Sequence, residues 1–311
     1  MTVVVGGGGL IGSALVGRLR ADGVAARPLA GVPWGDSAGV AEVFDGLALA
    51  LRAEVDTGTG PATWRVVWAA GRAVIPSPDA AHRDEVAALD ALLGALGRRL
   101  GGRTGELLLV SSAGGVYAGS GGAPYDEATA PAPRSVYGRG KLDQELLVAE
   151  AAVRHGWQAR VARVANVYGA GQDPIKPQGL VTRLCRAVLE DEPVRLYVPP
   201  STARHYLHVD DAATLLVRLL SLPATGPGLP ILRIVTAGAP VTVGELVEVV
   251  GSVAGRRVPV TWVEDVEVER HGAAISLRSN DGSMRLDTPI PLTEGVAALL
   301  AAMRAEAGGP P

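Results

Sequence analysis

A doubly wound, parallel α/β sheet is the fold this sequence predicts, on two observations. The chain opens on a β-branched run, Thr2 to Val5, that passes through four glycines into a segment with apolar residues at Leu10, Ile11, Ala14, Leu15 and Leu19. That order reads as strand, tight turn and helix. Apolar runs of strand length then recur at 24–29, 66–70, 107–110 and 161–164, with helical periodicity at 79–96 and 141–153 between them. Strands alternating with helices pair in parallel, because each crossover helix returns the chain to the same end of the sheet and covers one face.

Beyond Tyr168 the order turns irregular. GAGQDPIKPQG has the glycine and proline content of a loop, 180–189 reads as a helix, 195–198 as a short strand and 210–220 as another helix. Residues 231–235 read as one more strand of the main sheet, and 243–253, 258–263 and 292–303 as a terminal helix–strand–helix group. The expected organisation is a main domain of 1–168 with about 205–236, a smaller α/β lobe of 169–204 with 237–304, and a flexible tail at 305–311.

Composition narrows the function. With 311 residues, 48% of them hydrophobic, the chain buries a sizeable core, and 4% aromatic content makes that core one of small aliphatic side chains. A net charge of −3 leaves no basic field for a nucleic acid or an anionic membrane. Cys185 is the single cysteine and has no disulfide partner in the chain. The opening MTVVVGGGG lacks the charged region and cleavage pattern of a signal peptide, and no apolar run approaches the roughly 18 residues of a membrane span. A soluble cytoplasmic protein is expected.

Gly6, Gly9 and Gly12 form G-x-x-G-x-x-G between the first strand and the first helix, with Leu10 and Ile11 opening the helix. Such a turn brings backbone N–H groups and the positive end of a helix to a pyrophosphate, which is the dinucleotide site of a Rossmann-type fold. A carboxylate for the ribose hydroxyls usually ends the second strand, but here the residues are Arg27, Pro28, Leu29, Ala30 and Gly31. NAD and NADP both remain open, and Arg27 reads as an edge residue rather than a partner for a 2′-phosphate.

SVYGRGK sets Tyr137 and Lys141 four apart at the start of a helix, on one face. A free phenol is a poor base at neutral pH, and a fixed neighbouring cation favours the phenolate. Lysine is rare here: Lys141 and Lys176 are the two among 29 cationic residues. Upstream, LLLVSSAGGVYAG ends a strand with Ser111 and Ser112 at the carboxyl edge of the sheet, where such folds bind ligands.

At these residues the chain resembles the extended short-chain dehydrogenase/reductase superfamily, in particular the NAD-dependent epimerase/dehydratase family of nucleotide-sugar enzymes. The matching features are the glycine turn, VVWAAG (set by the resemblance after a fourth strand), SSAGGVY, Tyr137 with Lys141, RVANVYGAGQ around Asn166 and RHYLHVDDAA from Arg204. The resemblance implies Tyr137 as catalytic acid/base, Lys141 as the cation on the nicotinamide ribose, and Ser112 or its neighbour on the reacting oxygen. It implies cofactor contacts at Ala69, Ala70, Gly71 and Ser111 and nucleotide diphosphate contacts at Asn166 and Arg204. It also implies a homodimer through two helices of each subunit, 79–96 and 137–154. The leading expectation is a 4-epimerase, for which NAD is preferred. A ketoreductase consuming NADPH on a 4-keto deoxysugar nucleotide is the alternative, and a dinucleotide-binding sensor without turnover the third.

Several positions depart from the family pattern. Val5 replaces a threonine, His205 an aspartate, and the asparagine common in the helix before a fifth strand is replaced near Glu85. Ala113 occupies the expected hydroxyl position, yet Ser112 lies 25 residues before Tyr137 and is retained. Ala113 and Gly114 stand where a dehydratase carries an acidic pair, so dehydration is not expected. His205 and His208, placed on one face of a predicted strand without a third ligand, read as packing or substrate contacts and not as a metal pair. Asp210 and Asp211 read as helix N-cap and first-turn charge, and Cys185 as a buried, inert thiol.

Overall fold

The computed structural model describes residues 1–57, 63–74, 77–173, 178–223, 228–263 and 274–308. Its centre is a parallel six-stranded sheet: β1 (Thr2–Val5), β2 (Ala26–Leu29), β3 (Trp64–Trp68), β4 (Gly105–Ser112), β5 (Gln158–Val164) and β10 (Ile231–Val235), in the order β10-β5-β4-β3-β1-β2. The chain runs outward from β1 to β2 and then crosses back to β3, so the switch point lies between the carboxyl ends of β1 and β3. Adjacent loops there leave in opposite directions and open a crevice.

Alternation along β1 shows why both faces are covered. Val3 and Val5 pack under α2 (Ser37–Asp56), α3 (Asp79–Leu100) and α5 (Val136–His155), whereas Val4 packs under α1 (Leu10–Ala21) and α7 (Val209–Ser221). All three valines are fully buried, and each contributes on the order of 1.5–3 kcal/mol over an exposed side chain. A third apolar cluster joins α6 (Leu180–Glu190), α8 (Val243–Ala254) and α9 (Leu292–Ala307) through Leu184, Cys185, Leu246, Val250, Val296 and Leu299. Short strand pairs complete that region: β6 (Asn166–Tyr168) with β9 (Tyr206–His208), β7 (Val194–Leu196) with β12 (Val260–Trp262), and β8 (Ala203–Arg204) with β11 (Val241–Thr242).

The structure corrects several expectations. Helix α2 was not anticipated, although its signals are present: Asp36 caps it by accepting from Ala38 and Gly39 N–H, and Val40, Phe44, Leu47 and Leu51 form its buried stripe. Among the described residues α2 is the element between β2 and β3, so VVWAAG ends the third strand, not a fourth, and Glu85 lies in the helix before the fourth. The strand predicted at 66–70 is Trp64–Trp68, which frees Ala69, Ala70 and Gly71 to turn over the sheet edge. Residues 305–307 continue α9 and are not a tail; residues 309–311 and Lys176 lie outside the described residues. His205 falls between β8 and β9, while His208 caps α7 in place of Asp210. Residues three apart do not share a face of a period-two strand, so these histidines form no pair. Among the described residues no helix is long and apolar enough to cross a membrane, and no cluster of three metal-ligating side chains occurs.

Candidate active site

The glycine turn sits at the switch point, and its spacing follows from contact. Gly6 has φ +84°, and a Cβ there would stand 2.6 Å from the Ala70 Cα and N. A Cβ on Gly12 would collide with the Gly6 carbonyl oxygen. The turn is thus wedged between β3 and the start of α1, a cradle that side chains would fill. Gly9 is the α1 N-cap and offers no side chain to its amides, so Leu10, Ile11 and Gly12 begin a helix whose first N–H groups are open to an anion. The end of β2 carries no carboxylate, and Arg27 is exposed on this edge strand.

Tyr137 and Lys141 enter from α5. Ser135 caps that helix by accepting from Gly138 N–H at 3.0 Å, an interaction worth about 1 kcal/mol that fixes where the first turn begins. The Lys141 Nζ lies 5.8 Å from the centroid of the Tyr137 ring. Lys141 is buried; its ammonium donates to Gln144 Oε1 at 3.2 Å and pairs with Glu85 Oε2 at 3.6 Å. Glu85 in turn packs under Gly71 and accepts from the N–H groups of Arg72 and Ala73. The His82 ring stands edge-on to Tyr137, 6.1 Å between centroids.

Ser112 and Ser111 take opposite directions from β4. The Ser112 Oγ accepts from Gly115 N–H at 3.2 Å, which caps the single turn α4 (Ala113–Val116) and leaves the serine proton available to another oxygen. Gly115 is also the surface on which the tyrosine rests: a Cβ on Gly115 would lie 2.9 Å from Tyr137 Cε1. Serine, glycine and tyrosine therefore form one contiguous set. Ser111 instead donates at 2.5 Å to Glu145, which is held by two nitrogens of Arg163. Its hydroxyl belongs to the interior, so the expected cofactor contact is not one its side chain makes. Arg163 also donates to the Tyr117 hydroxyl, and burial pushes that phenol above its ordinary value despite the guanidinium.

Asn166 and Arg204 form a second group. Asn166 is exposed on β6, with its amide donating to the His205 carbonyl at 3.1 Å. Arg204, half-buried on β8, has its basicity lowered by burial and bonds the carbonyl of Ala203. Ile275 links this strand to the tyrosine side: its N–H donates to the Ala203 carbonyl, and its Cδ1 would be 3.8 Å from a Cβ on Gly114. Sequence reasoning treated Glu85 as a departure only and missed His82 and Gln144. The legible signal was a carboxylate in line with the apolar stripe Ala88, Leu89 and Leu92 of α3.

A family model described as "NAD dependent epimerase/dehydratase family" matches residues 2–234. The chain belongs to that family. Its relatives are enzymes of nucleotide sugars, and they catalyse different reactions. It is 20% identical over 199 residues to dTDP-4-dehydro-6-deoxyglucose reductase of Escherichia coli, covering 64% of this chain and 62% of that one. It is 28% identical over 175 residues to dTDP-glucose 4,6-dehydratase of Streptomyces griseus, covering 54% and 50%. To UDP-glucose 4-epimerase of Azospirillum brasilense the identity is 29% over 174 residues, covering 51% and 49%. The chain thus spans about half to 62% of the length of these three relatives. Among solved structures, MoeE5 in complex with UDP-glucuronic acid and NAD aligns with TM-score 0.76 at 24% identity, covering 98% of this chain and 99% of that one. UDP-glucose 4-epimerase of Thermotoga maritima, with UDP-glucose, aligns with TM-score 0.79 at 19% identity, covering 99% and 100%. These likenesses bear out the Rossmann-type fold.

Proposed function

We propose that this family member is an NAD-dependent nucleotide-sugar 4-epimerase in which Tyr137 is the acid/base. The observation that carries the reading is the Tyr137 ring seated on Gly115 and capped Ser112, with the Lys141 ammonium 5.8 Å from its centroid. Residues 1–168 with about 205–236 hold the dinucleotide in this reading, and 169–204 with 237–304 hold the substrate.

The cradle at the switch point fits a dinucleotide. Gly6, Gly9, Leu10, Ile11 and Gly12 would present backbone to its pyrophosphate, Ala69, Ala70 and Gly71 would offer no bulk against it, and Lys141 would hold its ribose. NAD, bound in neighbours such as MoeE5, supplies a reversible hydride acceptor when present. Tyr137, beside the ammonium, takes the proton of the sugar hydroxyl. Ser112 donates its free proton to the same oxygen and orients it. After the oxidised sugar has turned over in the site, Tyr137 returns the proton to the ketone oxygen as that carbon is reduced, which gives the alcohol of opposite configuration. Arg204 suits phosphate oxygens of the substrate, and Asn166 bonds the carbonyl of the next residue, His205. Ala113 and Gly114, under Ile275, provide no acid or base for dehydration.

A second reading, a ketoreductase consuming NADPH, draws support from the β2 end, where Leu29, Ala30 and Gly31 offer no carboxylate to a ribose. Denaturing the purified protein and assaying the released dinucleotide separates the two. Stoichiometric NAD is the expected result; an empty site with micromolar affinity for NADPH favours the reductase. We further propose a homodimer through α3 and α5, on which Leu146 and Val153 are 55% and 62% exposed.

A further inference from the structure

Glu85 is 2% exposed on a helix whose other inward residues are mostly apolar. Its Oε1 accepts from the N–H groups of Arg72 and Ala73, each at 2.6 Å, and its Oε2 lies 3.6 Å from Lys141 Nζ. An ionised carboxylate is an acceptor only and is costly to bury without donors. Three donors surround this one, from two segments distant in sequence: the segment leaving β3 and the second turn of α5. The other groups that face the cluster are few. His82 lies one turn earlier on α3 against the Tyr137 ring, and Asp84 turns outward to pair with Arg72 at 3.1 Å. From α5 come Lys141, Gln144 and Tyr137.

We propose that Glu85 is a positioning residue that locks Lys141 to the 71–73 backbone and, as the counter-charge of that lysine, limits how strongly the ammonium favours the Tyr137 phenolate. The inference rests on the acid/base reading of Tyr137 given above. An ammonium draws a nearby phenol toward ionisation, and a carboxylate in contact with that ammonium opposes it. The field at the phenol is the difference between the two, so the enzyme's working pH is set by a residue that touches neither substrate nor the reacting atoms. The same carboxylate holds the backbone beside Ala69, Ala70 and Gly71, which couples the proton-transfer side of the site to the dinucleotide side.

The test uses the protein without cofactor. Tyrosinate absorbance is titrated in the wild type, and subtracting the Tyr137→Phe titration isolates one phenol among the 6 tyrosines. In Glu85→Gln the midpoint of that phenol is expected to fall by on the order of one pH unit, while Glu85→Asp, which keeps the charge, stays near wild type. A Glu85→Gln protein with lowered thermal stability and an unmoved midpoint overturns the proposal and leaves Glu85 a structural residue. Should Glu85→Gln fail to fold, the double variant Glu85→Gln, Lys141→Gln removes both charges together. A midpoint near wild type then supports cancellation, and a rise of about one pH unit or more shows that Glu85 never opposed the lysine. The parent reading fails separately: Tyr137→Phe with wild-type turnover sinks the acid/base role without altering any of these titrations.

Discussion

Ser111 and Ser112 are consecutive, and β4 sends their hydroxyls to opposite sides. Ser111 donates to the buried Glu145 at 2.5 Å, and Ser112 accepts from Gly115 N–H at 3.2 Å beside Tyr137. The period-two geometry of a strand enforces this division, so one serine turns to the interior and the other to the Gly115 turn against which Tyr137 packs. Ser111→Ala is expected to lose about 1.5–3 kcal/mol of stability, the range for a hydrogen bond to a charged group, with kcat nearly unchanged. Ser112→Ala should show the reverse: a kcat lowered by about 10- to 100-fold with little change in Tm. Thermal denaturation alongside steady-state kinetics checks both, and equal effects in the two variants would contradict the division.

Tyr137→Phe removes the phenol oxygen and keeps the ring that packs on Gly115. A fall in kcat of about 10²- to 10⁴-fold is expected, with the fold and nucleotide-sugar affinity retained. Calorimetric binding of a UDP-sugar beside turnover measurements separates loss of chemistry from loss of binding.

Gly115 tests the seat of the tyrosine. A methyl group there would lie 2.9 Å from Tyr137 Cε1, so either the ring or the α4 turn shifts. Gly115→Ala is expected to cost about 1–3 kcal/mol of stability and to lower kcat more than Ser111→Ala does. The comparison is made in one chemical denaturation and kinetic series.

Cys185 offers a pH-dependent probe of the smaller apolar cluster. Burial among α6 neighbours pushes its thiol up to about 12. The folded protein disfavours the thiolate, so this contribution to stability is complete below the unfolded thiol's value of about 8.5 and is lost as pH rises toward 12. At pH 8 an alkylating reagent should label Cys185 only as fast as the protein opens. Rapid stoichiometric labelling of the native state would contradict burial.

The α5 face predicts assembly. Leu146→Glu with Val153→Glu should convert the proposed dimer to a folded monomer in sedimentation velocity, because paired charges are costly to bury in a helical interface. Unchanged sedimentation would place the interface elsewhere.

The sheet was legible because most of its strands are short apolar runs and its first turn is dense in glycine, both local properties. So were Tyr137, Lys141 and the glycine turn, which announce themselves by spacing. Helix α2 escaped because Gly39 and Gly46 dilute its periodicity, although Asp36 marked its start. Glu85 escaped for a different reason: its partners, at Arg72, Ala73 and Lys141, are separated from it by 12 to 56 positions or come from the backbone, which carries no sequence signal.

What the sequence determined by itself was the alternation of strands and helices, and with it a parallel sheet whose first turn is built of glycine. Hydrophobic period and glycine placement encode both within a few residues. Which serine faces the tyrosine, what neutralises Lys141 and which residues cap α7 were decided only in the tertiary structure. Those choices depend on how side chains from distant elements share a dry interior, where each buried charge must find donors that no local pattern records.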